Sequence, residues 1–161
     1  MRLFIAIEFN KEIKETFLKT LHELKKAGVG GKYVPGDNLH LTLAFIGESN
    51  RASEIKEAIN AVKFKPFKIK LDKPGNFGDL LWAGISGGQG LSKVATELRK
   101  NLDAAGIDYD KKPFKPHVTL IRKATNFKLQ NINIPPVQME VKEISLMKSE
   151  NKGGKMVYTR I

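Results

Sequence analysis

One pattern occurs twice in this chain and limits what it can fold into: an apolar strand, an amphipathic helix, a proline-containing loop, and a second strand beginning His-x-Thr-Leu. The first copy runs from Arg2–Phe9 (RLFIAIEF) to Leu39–Ile46 (LHLTLAFI), the second from Leu80–Ser86 (LLWAGIS) to His117–Ile121 (HVTLI). Ile7 precedes His40 by 33 positions and Ile85 precedes His117 by 32, so the copies agree in spacing as well as in order. Each unit carries an apolar sheet face and an apolar helix stripe that must be buried against one another. Two such units predict an α+β fold of two pseudo-symmetric lobes, each a mainly antiparallel sheet with its helices outside. Facing sheets would enclose a central groove carrying both His-x-Thr strands. Residues 1–161 thus read as a single bilobal domain arising from an internal repeat.

Local signals fill in this plan. Asn10 is a suitable N-cap for a helix whose Ile13, Phe17, Leu21 and Leu24 recur at helical spacing, with Gly28 as its stop. Gly28-Val29-Gly30-Gly31 and the following Tyr33-Val34-Pro35-Gly36-Asp37 read as a loop, a flexible connector at the groove's edge. A second helix is expected from Ser53 to about Val62, and a third is marked by Leu91, Val94, Leu98 and Leu102 and closed by Gly106. Phe67–Leu71 alternates as a strand, with Pro74–Asp79 read as a turn or loop. Val137–Lys148 and Lys155–Ile161 are two further strand candidates, joined by a hairpin-like turn at Glu150–Gly154.

Composition narrows the class of partner rather than the reaction. The chain has 28 Lys+Arg against 17 Asp+Glu, a formal charge of +11, which favours polyanions or forms a solvated lysine-rich surface. It has no cysteine, hence no disulfide, no thiolate nucleophile and no Cys-containing zinc site. No apolar run approaches the roughly 20 residues of a membrane-spanning helix, and the first strand lacks the features of a signal peptide. A cytoplasmic, membrane-free protein is expected. Abundant lysine without cysteine is compatible with a thermophilic source.

The chemistry rests on the duplicated motif. On a strand His40 and Thr42 share one face, as do His117 and Thr119, while Leu39, Leu41, Leu43, Val118 and Leu120 turn to the core. One His-x-Thr is more often structural than functional; two at matching places reverse that balance. Histidines opposed across a groove suit phosphodiester hydrolysis. A neutral imidazole takes a proton from the attacking water, and a protonated one gives a proton to the departing oxygen. The threonine hydroxyls can donate to the non-bridging phosphate oxygens, and Arg122 can clamp the same oxygens or serve as a surface strand residue. The repeat alone leaves the acid and base roles interchangeable.

His40-Leu41-Thr42-Leu43 and His117-Val118-Thr119-Leu120 resemble the paired motifs of the two-histidine phosphoesterases. The flanks are similar to the RNA 2′,3′-cyclic phosphodiesterases, also called 2′-5′ RNA ligases. These are Arg2–Ile7, Tyr33-Val34-Pro35, Asn38-Leu39, Ala44–Glu48, Leu81–Ile85, Phe114–Pro116 and Ile121-Arg122, spread over nearly the whole chain. Tyr33 departs from the family, which usually has tryptophan there.

The resemblance implies hydrolysis of a terminal 2′,3′-cyclic phosphate to a 2′-phosphate, with 2′-5′ ligation as the formal reverse. It implies His40 as proton donor, His117 as proton acceptor, and Thr42, Thr119 and Arg122 at the phosphate. Phe4 would pack on the terminal base or ribose, or in the core. No metal and no nucleotide cofactor is implied. The implied partner is RNA with 2′,3′-cyclic phosphate ends, tRNA fragments among them, acted on by a monomer.

The remaining features are weaker. His22 falls off its helix's apolar stripe and reads as solvated, and the Lys111–Lys115 run guides an RNA backbone or is merely solvated. Competing functions are a phosphodiesterase for 2′-5′ oligonucleotides or ADP-ribose cyclic phosphate, an RNA-binding module without turnover, and a metal-dependent hydrolase. The last lacks a second ligand near either histidine.

Overall fold

The chain, a computed structural model describing all 161 residues, folds into two antiparallel sheets and three helices. Arg2–Glu8 (β1) lies between His40–Glu48 (β3) and Ser145–Lys152 (β8), with Lys155–Arg160 (β9) completing that sheet; it is apolar on both faces because Leu3, Ile5 and Ile7 enter the main core while Phe4 and Ala6 pack on the other side. The second sheet has the order Gly30–Tyr33 (β2), His117–Thr125 (β6), Leu80–Ser86 (β5), Phe67–Phe77 (β4) and Gln138–Val141 (β7). The helices are Lys11–Lys26 (α1), Ala52–Asn60 (α2) and Gly88–Ala104 (α3). Asn10 caps α1 as its side chain predicts, accepting from the Ile13 amide at 3.0 Å.

Three expectations from the sequence are corrected. Gly30–Tyr33 is a strand, not part of a loop. Gly31 sits at φ +129°, where a Cβ would come within 2.8 Å of the Arg122 and Lys123 carbonyls, so only glycine lets β2 approach β6. Pro74 to Phe77 continue β4 rather than forming a turn, which shrinks to Gly78-Asp79. Proline is tolerated there because β4 pairs with β7 only over Phe67–Lys70, so the Pro74 nitrogen needs no partner on that side. Val137–Lys148 is two strands: Gln138–Val141 pairs with β4, and Ser145–Lys152 with β1 in the other sheet.

The halves therefore interlock. β2, from the first half, lies beside β6 of the second, while β8 and β9, at the C-terminus, complete the first sheet. One apolar cluster of 35 buried residues runs through both sheets and all three helices, so the lobes have no separate cores. A second, small cluster of Phe4, Ala6 and Met147, flanked by Tyr158, covers the opposite face of the first sheet. That face is the groove. The sheet curls until the Asn38 side chain, in a 3₁₀ turn just before β3, donates to the Met156 carbonyl on β9 at 3.0 Å. No helix is long and apolar enough to cross a membrane.

Candidate active site

β3 and β6 present their motifs alike. His40 and Thr42 are partly exposed while Leu41, Leu43 and Ala44 are buried; His117 and Thr119 are partly exposed while Val118, Leu120 and Ile121 are buried. Two adjacent buried residues break the alternation on each motif strand, and the pairing shows why. Ala6 faces Thr42 and Ile5 faces Ala44, so Leu43 is skipped; Trp82 faces Thr119 and Leu81 faces Ile121, so Leu120 is skipped. Each motif strand thus bulges three residues after its histidine. A bulge reverses which residues face the groove. It brings the fifth position after each histidine, Phe45 and Arg122, to the groove side. Arg122, at an odd offset from His117, would otherwise point into the core.

The imidazoles are anchored in the same way. Nδ1 of His40 lies 2.7 Å from the Asn38 carbonyl, and Nδ1 of His117 lies 2.5 Å from that of Lys115. A carbonyl only accepts, so each Nδ1 carries the proton, which leaves Nε2 for proton transfer. Thr42 Oγ1 lies 2.8 Å from His40 Nε2. Each ring also rests on two aromatics: Phe4 (4.7 Å between centroids) and Tyr158 (5.2 Å) for His40, Phe77 (5.3 Å) and Trp82 (5.9 Å) for His117. Trp82 lies flat across Gly75 of β4, where a Cβ would meet the indole at 2.2 Å.

Charge distinguishes the two sides. His40 is held below the ordinary histidine value, first by burial. The Asn38 carbonyl pulls it back up, the Arg122 guanidinium across the groove pushes it down, and Glu8, opposite His40 on β1, raises it. Arg160 of β9 in turn binds Glu8 and, at 3.1 Å, Glu143. Arg122 pairs across strands with Lys32, so two cations stand together on the groove side of the second sheet.

The residues expected from the sequence fall into two groups. His40, Thr42, His117, Thr119 and Arg122 lie on the groove faces of the two motif strands. Phe4 is 3% exposed and lies beneath His40 and Tyr158, leaving little surface for a ligand. Tyr33 faces the core side with Ile121, its hydroxyl donating to the Val29 carbonyl at 2.6 Å, so the family's tryptophan position is structural here. Lys111 is engaged by Asp103 and the Tyr109 ring, while Lys115 stands over Phe77 beside His117. His22 is exposed, and no group of three or more His, Cys, Asp or Glu is placed to hold a metal. Sequence reasoning missed Asn38, Lys32, Tyr158, Phe77 and Trp82. Asn38 and Trp82 stood within the family-like flanks with no role assigned; Lys32, Tyr158 and Phe77 depend on strand pairing that no local pattern reveals.

Comparison with known proteins gives a consistent result. The family model described as the 2′-5′ RNA ligase superfamily matches residues 12–153. The chain is 32% identical to the RNA 2′,3′-cyclic phosphodiesterase of Escherichia coli, over 98% of this chain and 92% of that protein. It is 31% identical to the protein of the same name from Thermotoga maritima, over 92% and 87%. The crystal structure of E. coli LigT complexed with 3′-AMP superposes with a TM-score of 0.82 at 32% identity, covering 99% of this chain and 94% of that one.

Proposed function

Because the chain belongs to the 2′-5′ RNA ligase superfamily, we propose that it is an RNA 2′,3′-cyclic phosphodiesterase whose groove opens the cyclic ester to a 2′-phosphate. The observation that carries this reading is the pair of histidines anchored alike on two bulged strands, with the Arg122 guanidinium of the second strand acting on His40 of the first. Water attacks phosphorus as His117 Nε2 takes its proton. The bond from phosphorus to the 3′-oxygen breaks, and that oxygen receives a proton from His40. His117 suits the base because its Nε2 has no protein partner and is open to water. His40 takes the acid role that the family resemblance implies, although burial lowers its own proton affinity. The substrate's anionic phosphate draws that proton on, and the leaving oxygen takes it. Thr42, Thr119 and Arg122 hold the non-bridging oxygens, while Phe4 keeps the His40 ring in place. Run backwards, with a 5′-hydroxyl end approaching phosphorus, the same groups support 2′-5′ joining.

The substrates in view are RNA ends, including those of tRNA fragments, met in the cytoplasm by a monomer whose core is complete within one chain. The matched bulges and anchors support a single unit built by duplication, and neither step of this mechanism calls on a cofactor.

The test is to incubate a short RNA ending in 2′,3′-cyclic phosphate with the protein and identify the product end. A 2′-phosphate is expected, with hydrolysis falling about 10²- to 10⁴-fold in His40→Ala and in His117→Ala. A 3′-phosphate product, or variants as fast as the parent, would refute the assignment.

A further inference from the structure

β3 is the outer strand of its sheet, so its free edge carries backbone carbonyls that need partners from elsewhere. Two of them are met from α3 and the connection that follows it. The Asp110 amide donates to the Phe45 carbonyl at 2.9 Å, and Arg99 of α3 turns Nε and Nη2 to the Leu43 carbonyl at 3.4 and 3.3 Å. Leu43 is the residue at which β3 bulges. The remaining nitrogen of Arg99, Nη1, donates to the Lys112 carbonyl at 2.7 Å, in the connection from α3 to β6. The rings of Tyr109 and Phe114, from the same connection, lie 5.5 and 6.0 Å from the guanidinium carbon. Three residues beyond Lys112, the Lys115 carbonyl fixes Nδ1 of His117, and Pro113 stiffens the path between the two. One half-buried guanidinium therefore joins the bulge of the His40 strand to the segment that anchors His117.

We infer that Arg99 is a positioning residue, which sets the distance and angle between the two imidazoles by tying the first motif strand to the anchor of the second. The histidines lie on different sheets, and acid and base must reach oxygens on opposite sides of one phosphorus. A misplacement of about 1 Å in such an arrangement can cost about 10²-fold in rate. The planar fork of arginine is what the task requires: three nitrogens hold two carbonyls on separate segments, where the compact ammonium of lysine offers a single point of attachment. β5 holds β6 independently, the Ile85 amide donating to the Pro116 carbonyl at 3.2 Å. Loss of Arg99 should therefore displace His117 rather than unfold its strand. The inference rests on the phosphodiesterase reading and adds to it a residue that belongs to neither motif.

The experiment compares Arg99→Lys and Arg99→Ala with Arg51→Ala. Arg51 also donates to two carbonyls, those of Gly106 at 2.8 Å and Ala105 at 2.7 Å, but binds neither motif strand, so its loss reports destabilisation alone. On RNA ending in 2′,3′-cyclic phosphate, well below each denaturation midpoint, kcat should fall about ten- to hundredfold in both Arg99 variants, with KM within about twofold of the parent. Arg51→Ala should keep the parent kcat. The NMR ring signals of His40 and His117 should both move in Arg99→Lys and stay in place in Arg51→Ala. If Arg99→Ala does not fold, Arg99→Lys carries the comparison. A parent-like kcat in Arg99→Lys, or a fall matched by Arg51→Ala, would overturn the positioning role. No turnover by the parent would instead refute the phosphodiesterase reading, and the ring signals would then decide: unmoved signals in Arg99→Lys would overturn the coupling as well.

Discussion

His40 and His117 each turn Nδ1 to the carbonyl two residues upstream, yet only His40 has a carboxylate, Glu8, opposite it and a guanidinium acting from the other sheet. Its proton affinity is therefore adjustable in both directions by single substitutions. Arg122→Gln removes a positive charge and should raise the His40 pKa. Glu8→Gln removes a negative charge and should lower it further. Since the parent value already lies below the ordinary histidine range, a rise keeps the imidazolium to higher pH and a fall loses it at lower pH. Titration of the His40 ring by NMR checks both signs; shifts in the same direction for both variants would show that packing, not charge, sets its affinity. Asn38 belongs to the same account, because its carbonyl fixes the ring while its side chain fastens the turn to β9.

The bulges at Leu43 and Leu120 are the features of β3 and β6 on which the site most depends. Their presence makes a distinction that a regular strand would reverse. Ile121→Arg should bury a charge without a partner and cost at least about 3 kcal/mol of stability, seen as a lowered denaturation midpoint. Arg122→Ile should leave the midpoint nearly unchanged, yet slow hydrolysis about 10²-fold by removing a cation from the developing phosphate charge. If Ile121→Arg were tolerated and Arg122→Ile unfolded the protein, the register would be wrong. The two His-x-Thr pairs were legible as a repeated motif, which survives any local misreading of structure, whereas Arg122, with Phe45 at its equivalent position, rested on the family resemblance. The bulges were not legible, since a skipped residue leaves no mark in an apolar run such as Leu120-Ile121. Nor was β2, whose glycines serve close backbone approach but look like a loop. The aromatic supports of the histidines come from strands distant in sequence and emerge only with the pairing.

At the scale of the whole molecule, the exchange of strands changes what the internal repeat means for stability. A repeat suggests halves able to stand alone. Here β2 is held by the second sheet, β8 pairs with β1 through Arg2 opposite Ser149, and a single core joins every helix. Neither half can bury its apolar face without strands from the other, so the chain should unfold as one cooperative unit. Trp82, the only tryptophan, lies in β5 of the second sheet, whereas far-ultraviolet circular dichroism follows both sheets and the helices. Denaturation followed by Trp82 fluorescence and by circular dichroism should give the same midpoint and slope, and a fragment ending before β8 should show no cooperative transition. Separate midpoints would mean that the lobes are energetically independent and that the shared core contributes less than its continuity implies. Because Arg2 must find Ser149 across nearly the full chain, refolding should also be slow for a protein of this size, in the millisecond-to-second range typical of non-local β pairing.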